Sequence, residues 1–364
     1  MLDLTKYGFS PRLVPAYGTG SIGVLVLGEA PGEQEDEQGQ PFWPGAPAGS
    51  VLERAFRRMG MSRDQFVLAN TVPYRPPKNF LEGAKYEHEA VEGCRPLLEQ
   101  TLERFRPGCV LTLGNIATRA MTGLAGDKLG VGSLTGFILP SRYDVPVVPC
   151  FHPSYLRRGK MSHFGVLMRS IRLAITVARE KRQPILPPVD DPPPGYILRP
   201  TEEVAVAFQR EVQRHATDNI ERRYLAYDIE TPYSTSEDSA EEAEGAQTIK
   251  SIQFSLASGT GIFMPWRAPF LEIARWILGT RLPKLSWNGW RFDDPVIRSN
   301  GVTIGGELHD LMWAWHHLQP DLPRGLQFAA AQSGWPWPWK HLDHARPEFY
   351  GIVDVDVLHY LVGA

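Results

Sequence analysis

Short apolar runs alternate with segments of helical periodicity through the first half of the chain. The runs cover residues 24–28, 66–70, 110–114 and 145–151. Strands that alternate with helices are typical of a parallel sheet with helices packed against it. This half of the sequence therefore predicts an α/β/α fold around a parallel sheet.

The second half arranges similar elements in a different order. A helical pattern at 201–215 leads into the apolar run 224–230, and two β-like runs, 249–257 and 259–266, precede a mostly helical remainder. Two adjacent strand patterns predict an early hairpin within another α/β fold. Residues 234–247 are small, acidic and of low complexity, which predicts a mobile loop.

A proline-rich segment separates the two halves. Neither a helix nor a central strand can run through QPILPPVDDPPPGYILRP, at residues 183–200, because proline lacks a backbone N–H and fixes φ. We therefore predict a first domain at 1–182, an extended linker at 183–200 and a second domain at 201–364. The length of 364 residues agrees, since it exceeds what one hydrophobic core usually organises.

Composition is that of an ordinary soluble globular protein. Hydrophobic residues make up 43% and charged residues 22%, and no apolar run approaches the length of a membrane span. The N-terminus lacks the layout of a secretory signal, and three widely spaced cysteines fit a reducing compartment. We therefore expect a cytoplasmic protein, in a bacterium or a phage-infected host, with no membrane partner.

The net charge of the chain does not indicate a nucleic-acid-binding protein. Such proteins often carry a strong basic excess, whereas this chain has a net charge of -3. Contacts with nucleic acid would need local patches, such as the basic residues between 157 and 182. A solvated helix face would look much the same.

Candidate carboxylates lie at three separate places in the second half of the sequence. Asp228 and Glu230 end an apolar run, and residues two apart on a strand project from the same face. Asp293 follows a second apolar run. Tyr350 and Asp354 are four residues apart on a helical pattern and so share one face. Taken singly, each is more often a surface acid or a packed tyrosine.

Together and in this order, these residues resemble the three exonuclease motifs of the DnaQ-like superfamily, in particular the proofreading domain of family A DNA polymerases. The resemblance covers roughly residues 196–364. Its motifs are Asp228 with Glu230, the stretch from Asn288 to Asp293, and Tyr350 with Asp354. The resemblance implies a ribonuclease H-like fold and 3′→5′ exonuclease activity on DNA.

The expected chemistry explains the carboxylates. Phosphodiester hydrolysis needs a nucleophilic water and charge relief, which two divalent ions roughly 3.5–4 Å apart supply, and carboxylates select Mg²⁺ or Mn²⁺. By the resemblance, Asp228, Glu230 and Asp354 hold the first ion and Asp228 with Asp293 the second, while Tyr350 orients the water. Two neighbouring acids, Asp294 and Asp310, rank lower as ligands. Asp356 is rotated well away from the helix face that carries Tyr350 and Asp354.

Polar residues follow three predicted strands in the first half. Glu29 comes after the first run, Asn70 ends the second, and His152 follows the fourth. Ligands bind beyond the carboxyl ends of strands in an open parallel sheet, so the three side chains are expected at one edge. Taken singly, an asparagine or histidine in such a place more often caps a turn.

The segments GEAPGEQEDEQGQPF, NTVPYRPPKN and HPSYLRR look like the motifs of family-four uracil-DNA glycosylases, over about residues 24–160. The resemblance implies removal of uracil that has first left the base stack of DNA. Carried over, Phe42 stacks on the uracil, Asn70 reads its polar edge, and His152 stabilises the oxygen that gains charge.

The remaining candidates follow from the same resemblance. Glu29, which we take as catalytic, lies with Glu35 and Asp36 in the stretch that positions water and sugar, and the sequence does not divide the labour among them. Wedge and phosphate contacts are expected from three residues, for which a basic amphipathic turn is an equal alternative: Tyr155, Leu156 and Arg157.

The chain departs from the family pattern at its cysteines. Such glycosylases generally hold an iron–sulfur cluster on four cysteines, whereas here Tyr74 stands before Arg75-Pro76-Pro77 and only Cys94 resembles a ligand. One thiolate cannot hold a four-iron cluster, so we predict none. The loop WPGAPAGS after Phe42 is enlarged, which leaves the base preference open.

The two resemblances predict a bifunctional enzyme that removes uracil and trims 3′ ends, as part of a viral replication apparatus. A DNA polymerase is then a candidate partner. Two alternatives remain open at this stage. The first domain could be a DNA-binding module without catalysis, or the chain could be the N-terminal fragment of a polymerase, since it stops soon after Asp354.

Overall fold

The computed structural model describes residues 3–124, 129–218, 223–232, 248–342 and 345–363. The acidic segment for which we predict a loop, 234–247, lies outside these described residues. The chain divides into two compact units, the first of 1–186 with 321–323 and 336–338, and the second of the remaining residues. Within the described ranges, no helix combines the length and the apolar character needed to cross a membrane.

The described part of the first unit contains a four-stranded parallel sheet, which confirms the predicted fold class. Every residue of its strands is buried, as expected where helices cover both faces. The strands are β1 (Val24–Gly28), β2 (Val67–Asn70), β3 (Cys109–Leu113) and β4 (Val147–Cys150). Their order is β2-β1-β3-β4. Because all four run in one direction, their carboxyl ends lie at one edge.

Helices connect these strands and cover the sheet. They are α1 (Glu33–Gln38), α2 (Pro47–Arg58), α3 (Glu87–Phe105), α4 (Asn115–Thr122), α5 (Val131–Leu134), α6 (Pro153–Arg157) and α7 (Phe164–Glu180). The short helices α1 and α6 begin just beyond the carboxyl ends of β1 and β4. They therefore hold the residues that follow those strands, including Glu29 and His152, near the sheet edge.

The described part of the second unit contains a six-stranded mixed sheet of order β10-β9-β6-β7-β8-β5. Its strands are β5 (Tyr196–Ile197), β6 (Leu225–Glu230), β7 (Ser251–Ser255), β8 (Gly261–Pro265), β9 (Lys284–Ser286) and β10 (Leu308–Asp310). The β6, β7 and β8 strands pair antiparallel, with β7 and β8 as the predicted hairpin, and β9 and β10 run parallel to β6. This topology agrees with the ribonuclease H-like fold class.

Part of the proline-rich segment belongs to this sheet. Tyr196 and Ile197 pair with β8 as an edge strand, and the Tyr196 hydroxyl donates to Asp356 at 2.6 Å. These two residues follow the prolines and retain their backbone amides, so the restriction on proline does not apply to them. The ordered sheet therefore begins inside the segment for which we predict a linker.

Helices complete the second unit: α8 (Glu202–Thr217), α9 (Phe270–Gly279), α10 (Asp293–Ser299), α11 (Leu311–Leu318), α12 (Leu326–Ser333) and α13 (Pro347–Gly363). The last of these packs across β6, β7 and β8 and is buried from Gly351 to Leu358. A β-carbon at Gly351 would lie 2.6 Å from Gln253 Cδ, so the glycine allows α13 to approach the sheet closely. This approach brings Asp354 to β6.

Candidate active sites

A small residue at the end of β1 brings two predicted site residues together. A β-carbon at Gly28 would lie 2.5 Å from Asn70 Oδ1 and 2.6 Å from Phe42 Cζ. Asn70 is 7% exposed, and among the described residues its buried Nδ2 has no hydrogen-bond partner. An unpaired buried donor is costly, so this amide is suited to a ligand that supplies an acceptor.

Glu35 holds the loop that carries Phe42. The Phe42 backbone N–H, at a left-handed φ of 49°, and the Gly32 N–H both donate to the Glu35 carboxylate. Burial raises the pKa of Glu35. Asp36 instead accepts from the Ser10 hydroxyl at 2.9 Å. Glu35 therefore holds the loop that carries Phe42, and Asp36 binds the N-terminal segment. The sequence alone does not distinguish these two roles.

His152 presents a neutral imidazole. The residue precedes α6, and its Nδ1 accepts the Ser154 backbone N–H at 3.2 Å and lies 2.8 Å from the Ser154 hydroxyl. Burial, with a smaller contribution from Arg158, lowers the pKa of His152 to about 4. The ring is therefore neutral at neutral pH, and with Nδ1 as the acceptor its proton lies on Nε2. Its centroid is 6.0 Å from that of Phe42.

A cavity of about 670 Å³ opens beside this cluster and is lined by Glu29, Glu35, His152 and Arg158. Burial, and then the nearby Glu82 carboxylate, raise the pKa of Glu29 to about 6. Phe42 and Asn70 lie against Gly28 and are not among the residues that line this cavity. The structure thus brings Glu29 and His152 to one cavity, with Phe42 next to His152.

The candidate DNA contacts after His152 differ in accessibility. Leu156 is fully buried in this conformation, so a wedge role for this side chain stays a prediction that would require it to become exposed. Tyr155 is half-buried and stacks on Phe151 at 5.3 Å, whereas Arg157 is exposed. Sequence reasoning did not single out Arg158 for the cavity, although it is the second arginine of HPSYLRR.

The cysteines do not fit an iron–sulfur cluster. Cys94 is buried, with its pKa raised by burial to about 11, and Tyr74 packs against its apolar neighbours. Cys109 and Cys150 are buried within β3 and β4. The apolar neighbours of Cys94 are Leu4, Phe9, Val72, Leu81, Ala90 and Ile116. Three thiols, of which one lies where the family pattern places a ligand, cannot supply four iron ligands.

Three carboxylates meet in the second unit. Asp228 and Glu230 project from one face of β6, and α13 contributes Asp354. Ligand oxygens of the three side chains all lie within 4.8 Å of one another. Hard oxygen donors in this number suit Mg²⁺ or Mn²⁺, so the residues fit a divalent ion.

Asp293 borders this cluster. The residue begins α10, is 2% exposed, and accepts the Ile229 backbone N–H at 3.0 Å, between the two acids of β6. Burial raises the pKa of Asp293 to about 7. Burial, and then repulsion from Asp293 and Asp354, also raise the pKa of Asp228. A bound cation would offset this repulsion.

The two lower-ranked acids and Asp356 have other partners. Asp294 accepts from the Tyr227 hydroxyl. Asp310 precedes α11 and accepts the Met312 N–H at 3.0 Å as a helix cap. Asp356 accepts from the β5 tyrosine described above. Each contact stabilises the fold around the cluster and occupies the carboxylate.

Two residues that sequence reasoning missed contact Asp354. The Trp339 indole N–H donates to Asp354 Oδ1 at 2.6 Å, and Lys340 Nζ donates to Oδ2 at 2.7 Å. Lys340 Nζ also donates to the Tyr350 hydroxyl at 2.8 Å. The ammonium group thus places a positive charge directly against one acid of the cluster. The only signal in the sequence is the tryptophan-rich segment WPWPWK that precedes Tyr350.

A parallel sheet with an acid, an amide and a neutral imidazole at its carboxyl edge is the arrangement predicted for a glycosylase. The profile described as "Uracil DNA glycosylase superfamily" matches residues 15–171. A type-4 uracil-DNA glycosylase of Saccharolobus solfataricus is 31% identical over 40% of this chain and 67% of that protein. One from Thermotoga maritima is 32% identical over 38% and 67%. The chain belongs to the uracil-DNA glycosylase superfamily.

The similarity is higher but shorter for a third relative. The type-4 uracil-DNA glycosylase of Pyrobaculum aerophilum is 40% identical over 34% of this chain, and the chain spans 61% of its length. Among solved structures, Trypanosoma brucei RNase D in complex with RNA U12 aligns with 18% identity, a TM-score of 0.25, and coverage of 43% of this chain and 61% of that one.

Proposed function

We propose that the first unit excises uracil from DNA. The observation that carries this proposal is the His152 imidazole, whose Nδ1 accepts from the Ser154 N–H and whose ring lies 6.0 Å from that of Phe42. Phe42 in turn lies with the unpaired amide of Asn70 against Gly28. Two donors suit the carbonyl oxygens of a pyrimidine, and an aromatic ring suits its face. The relatives to which the chain is similar are named type-4 uracil-DNA glycosylases, which agrees with this proposal.

Cleavage of the glycosidic bond leaves an anionic base and a cation-like sugar. A preorganised neutral donor stabilises the developing oxyanion without the free-energy cost of desolvating a charged group. His152 would donate from Nε2 to a uracil oxygen, and Asn70 would donate from Nδ2. Glu29, ionised above about pH 6 because of its raised pKa, would face the sugar side and hold the attacking water.

The second unit, we propose, is a 3′→5′ exonuclease of the proofreading type that uses Mg²⁺ or Mn²⁺. The carboxylate oxygens of Asp228, Glu230 and Asp354 support this proposal, since together they would hold a divalent ion. Asp228 with Asp293 would hold a second. Bound ions would neutralise charge on the phosphodiester and lower the pKa of a water. The Tyr350 hydroxyl would orient that water, and a DNA polymerase would be the partner.

A DNA strand with a 5′ label and a single internal uracil tests both proposals at once. Alkali-sensitive sites report excision, and a ladder of shortened products reports trimming. With EDTA, excision should persist while trimming disappears, and Mg²⁺ or Mn²⁺ should restore it. Asp228→Asn should mimic EDTA for trimming alone. Glu272→Gln, at an exposed surface acid, is the matched control and should retain both activities.

The outcomes separate the two units. Trimming by Asp228→Asn at the wild-type rate would refute the nuclease site. Retained binding to the uracil strand without any alkali-sensitive site would favour the alternative of a non-catalytic DNA-binding module, which the absent cluster ligands also favour. Loss of excision on chelation, in protein that remains folded, would contradict a metal-free glycosylase site.

A further inference from the structure

Lys340 places an ammonium group inside the carboxylate cluster of the second unit. Its Nζ lies 2.7 Å from Asp354 Oδ2 and 2.8 Å from the Tyr350 hydroxyl, and the side chains of Lys340 and Asp354 are 26% and 5% exposed. The Trp339 indole occupies the other Asp354 oxygen. Both oxygens of a proposed metal ligand are therefore already hydrogen-bonded by neighbouring residues of the chain.

The backbone anchors this lysine in place. Gln327, on α12 and 3% exposed, accepts the N–H groups of both Trp339 and Lys340, at 2.7 and 2.8 Å. Trp339 itself is fully buried. One buried amide oxygen thus fixes the start of the lysine side chain, whereas the bonds of its four-carbon stem can rotate once Nζ leaves its two acceptors. Movement of the ammonium group would therefore need no change in the backbone.

A divalent ion and this ammonium group compete for Asp354. An oxygen that accepts from Nζ at 2.7 Å offers less electron density to a second cation, and two cations held by one carboxylate repel each other. A displaced lysine would remain near the cluster, because its backbone is held by Gln327. Lysine is a common ligand of phosphate oxygens, which the bound substrate would bring to this place.

On this basis we propose that Lys340 is the internal counter-ion of the nuclease site. It offsets the repulsion of the carboxylates before a divalent ion binds, leaves Asp354 when one binds, and then donates to the phosphate that is cleaved. The proposal rests on the proposed exonuclease function of this unit. It requires that Lys340 weakens metal binding and speeds turnover, a combination that a purely structural residue would not produce.

Lys340→Met tests this combination, because methionine keeps much of the length and removes the charge. Mn²⁺ affinity is measured without DNA, from the electron paramagnetic resonance signal of free Mn²⁺, and trimming is measured at saturating Mn²⁺. An opposite charge at this distance changes the proton affinity of a carboxylate by roughly one to three powers of ten, so Mn²⁺ should bind about tenfold more tightly in the variant. Trimming should slow by about tenfold or more.

Two further variants serve as controls. Lys340→Arg keeps the charge and should leave Mn²⁺ affinity close to that of the wild type, with part of the trimming rate retained. It also tests the proposal if Lys340→Met does not fold. Lys85→Met removes an exposed lysine from the first unit and should change neither quantity. Circular dichroism and thermal melting establish that each variant is folded.

Weaker or unchanged Mn²⁺ binding by folded Lys340→Met would overturn the counter-ion role, and unchanged trimming would overturn the phosphate contact. Failure of the proposed exonuclease function appears instead in the wild type, as a lack of metal-dependent trimming. In that case the affinity measurement would still decide the counter-ion role, since it needs no DNA.

Discussion

Replacement of His152 by alanine removes a neutral side-chain donor whose orientation is fixed by a backbone contact. With Nδ1 accepting from Ser154 and a pKa of about 4, the imidazole carries its proton on Nε2 at neutral pH. Loss of one preorganised donor to a developing oxyanion lowers a rate by about 10²–10³, or about 2.7–4 kcal/mol. We expect His152→Ala to lose uracil excision by that factor.

The assay is single-turnover excision from a strand with one uracil, in EDTA so that trimming does not interfere. Ser154→Ala provides a graded comparison, because it removes the hydroxyl at 2.8 Å but keeps the backbone N–H at 3.2 Å. A neutral hydrogen bond contributes about 0.5–1.5 kcal/mol, so this variant should lose about two- to tenfold. His88→Ala, at an exposed histidine, should excise like the wild type.

Two results would refute this reasoning. The first is folded His152→Ala with nearly the wild-type rate, which would mean that another group stabilises the base. The second is a His152 titration near its ordinary pKa of about 6.5. A depressed pKa in the folded state means that protonation favours the unfolded chain. The stability from neutral His152 should therefore be complete above about pH 6.5 and fall as the pH drops towards 4.

Three further predictions concern the first unit. Because the pKa of Glu29 is about 6, wild-type excision should fall as the pH drops through that value. Glu29→Gln should remove this inflection from the pH profile. An inflection that persists in the variant would belong to another group. Gly28→Ala should lower excision by about tenfold or more without unfolding the protein, because the new methyl group displaces the side chains of Asn70 and Phe42. Weaker uracil binding would confirm the displacement, and thermal melting would show that the variant is folded. Purified protein should be colourless and free of iron, since Cys94 lacks partner thiolates, and stoichiometric iron with visible absorbance would contradict this.

The parts of the fold that local pattern predicted are those whose burial is uniform. The parallel strands of the first unit are buried along their whole length, so they appear in the sequence as continuous apolar runs. The position of Glu29, Asn70 and His152 then follows from strand direction alone. The β5 strand has two residues and pairs with a strand 65 positions later, so it leaves no local periodicity to detect.

Side-chain environment was harder to predict than position. The α6 helix has five residues, too few for a periodic pattern, so nothing in HPSYLRR indicates that Leu156 faces inward. The roles of Glu35 and Lys340 depend on hydrogen bonds to the Phe42 amide and to Asp354, which the fold brings near. Such contacts are set by tertiary packing, and an isolated lysine or glutamate in a sequence carries no sign of them.

Burial favours the neutral form of the ionisable groups in both sites, and this explains why only the acidic site would need a cation. Removing water disfavours the charged form of any group, so it keeps His152 neutral and raises the pKa values of Asp228 and Asp293. A neutral donor suits a base that becomes anionic only as its bond breaks, and it needs no counter-ion. Several acids in one place can ionise together only when positive charge accompanies them. Lys340 supplies a single charge next to Asp354, which is less than the cluster would carry when fully ionised. The remaining demand for positive charge is what would draw a divalent ion to the second site.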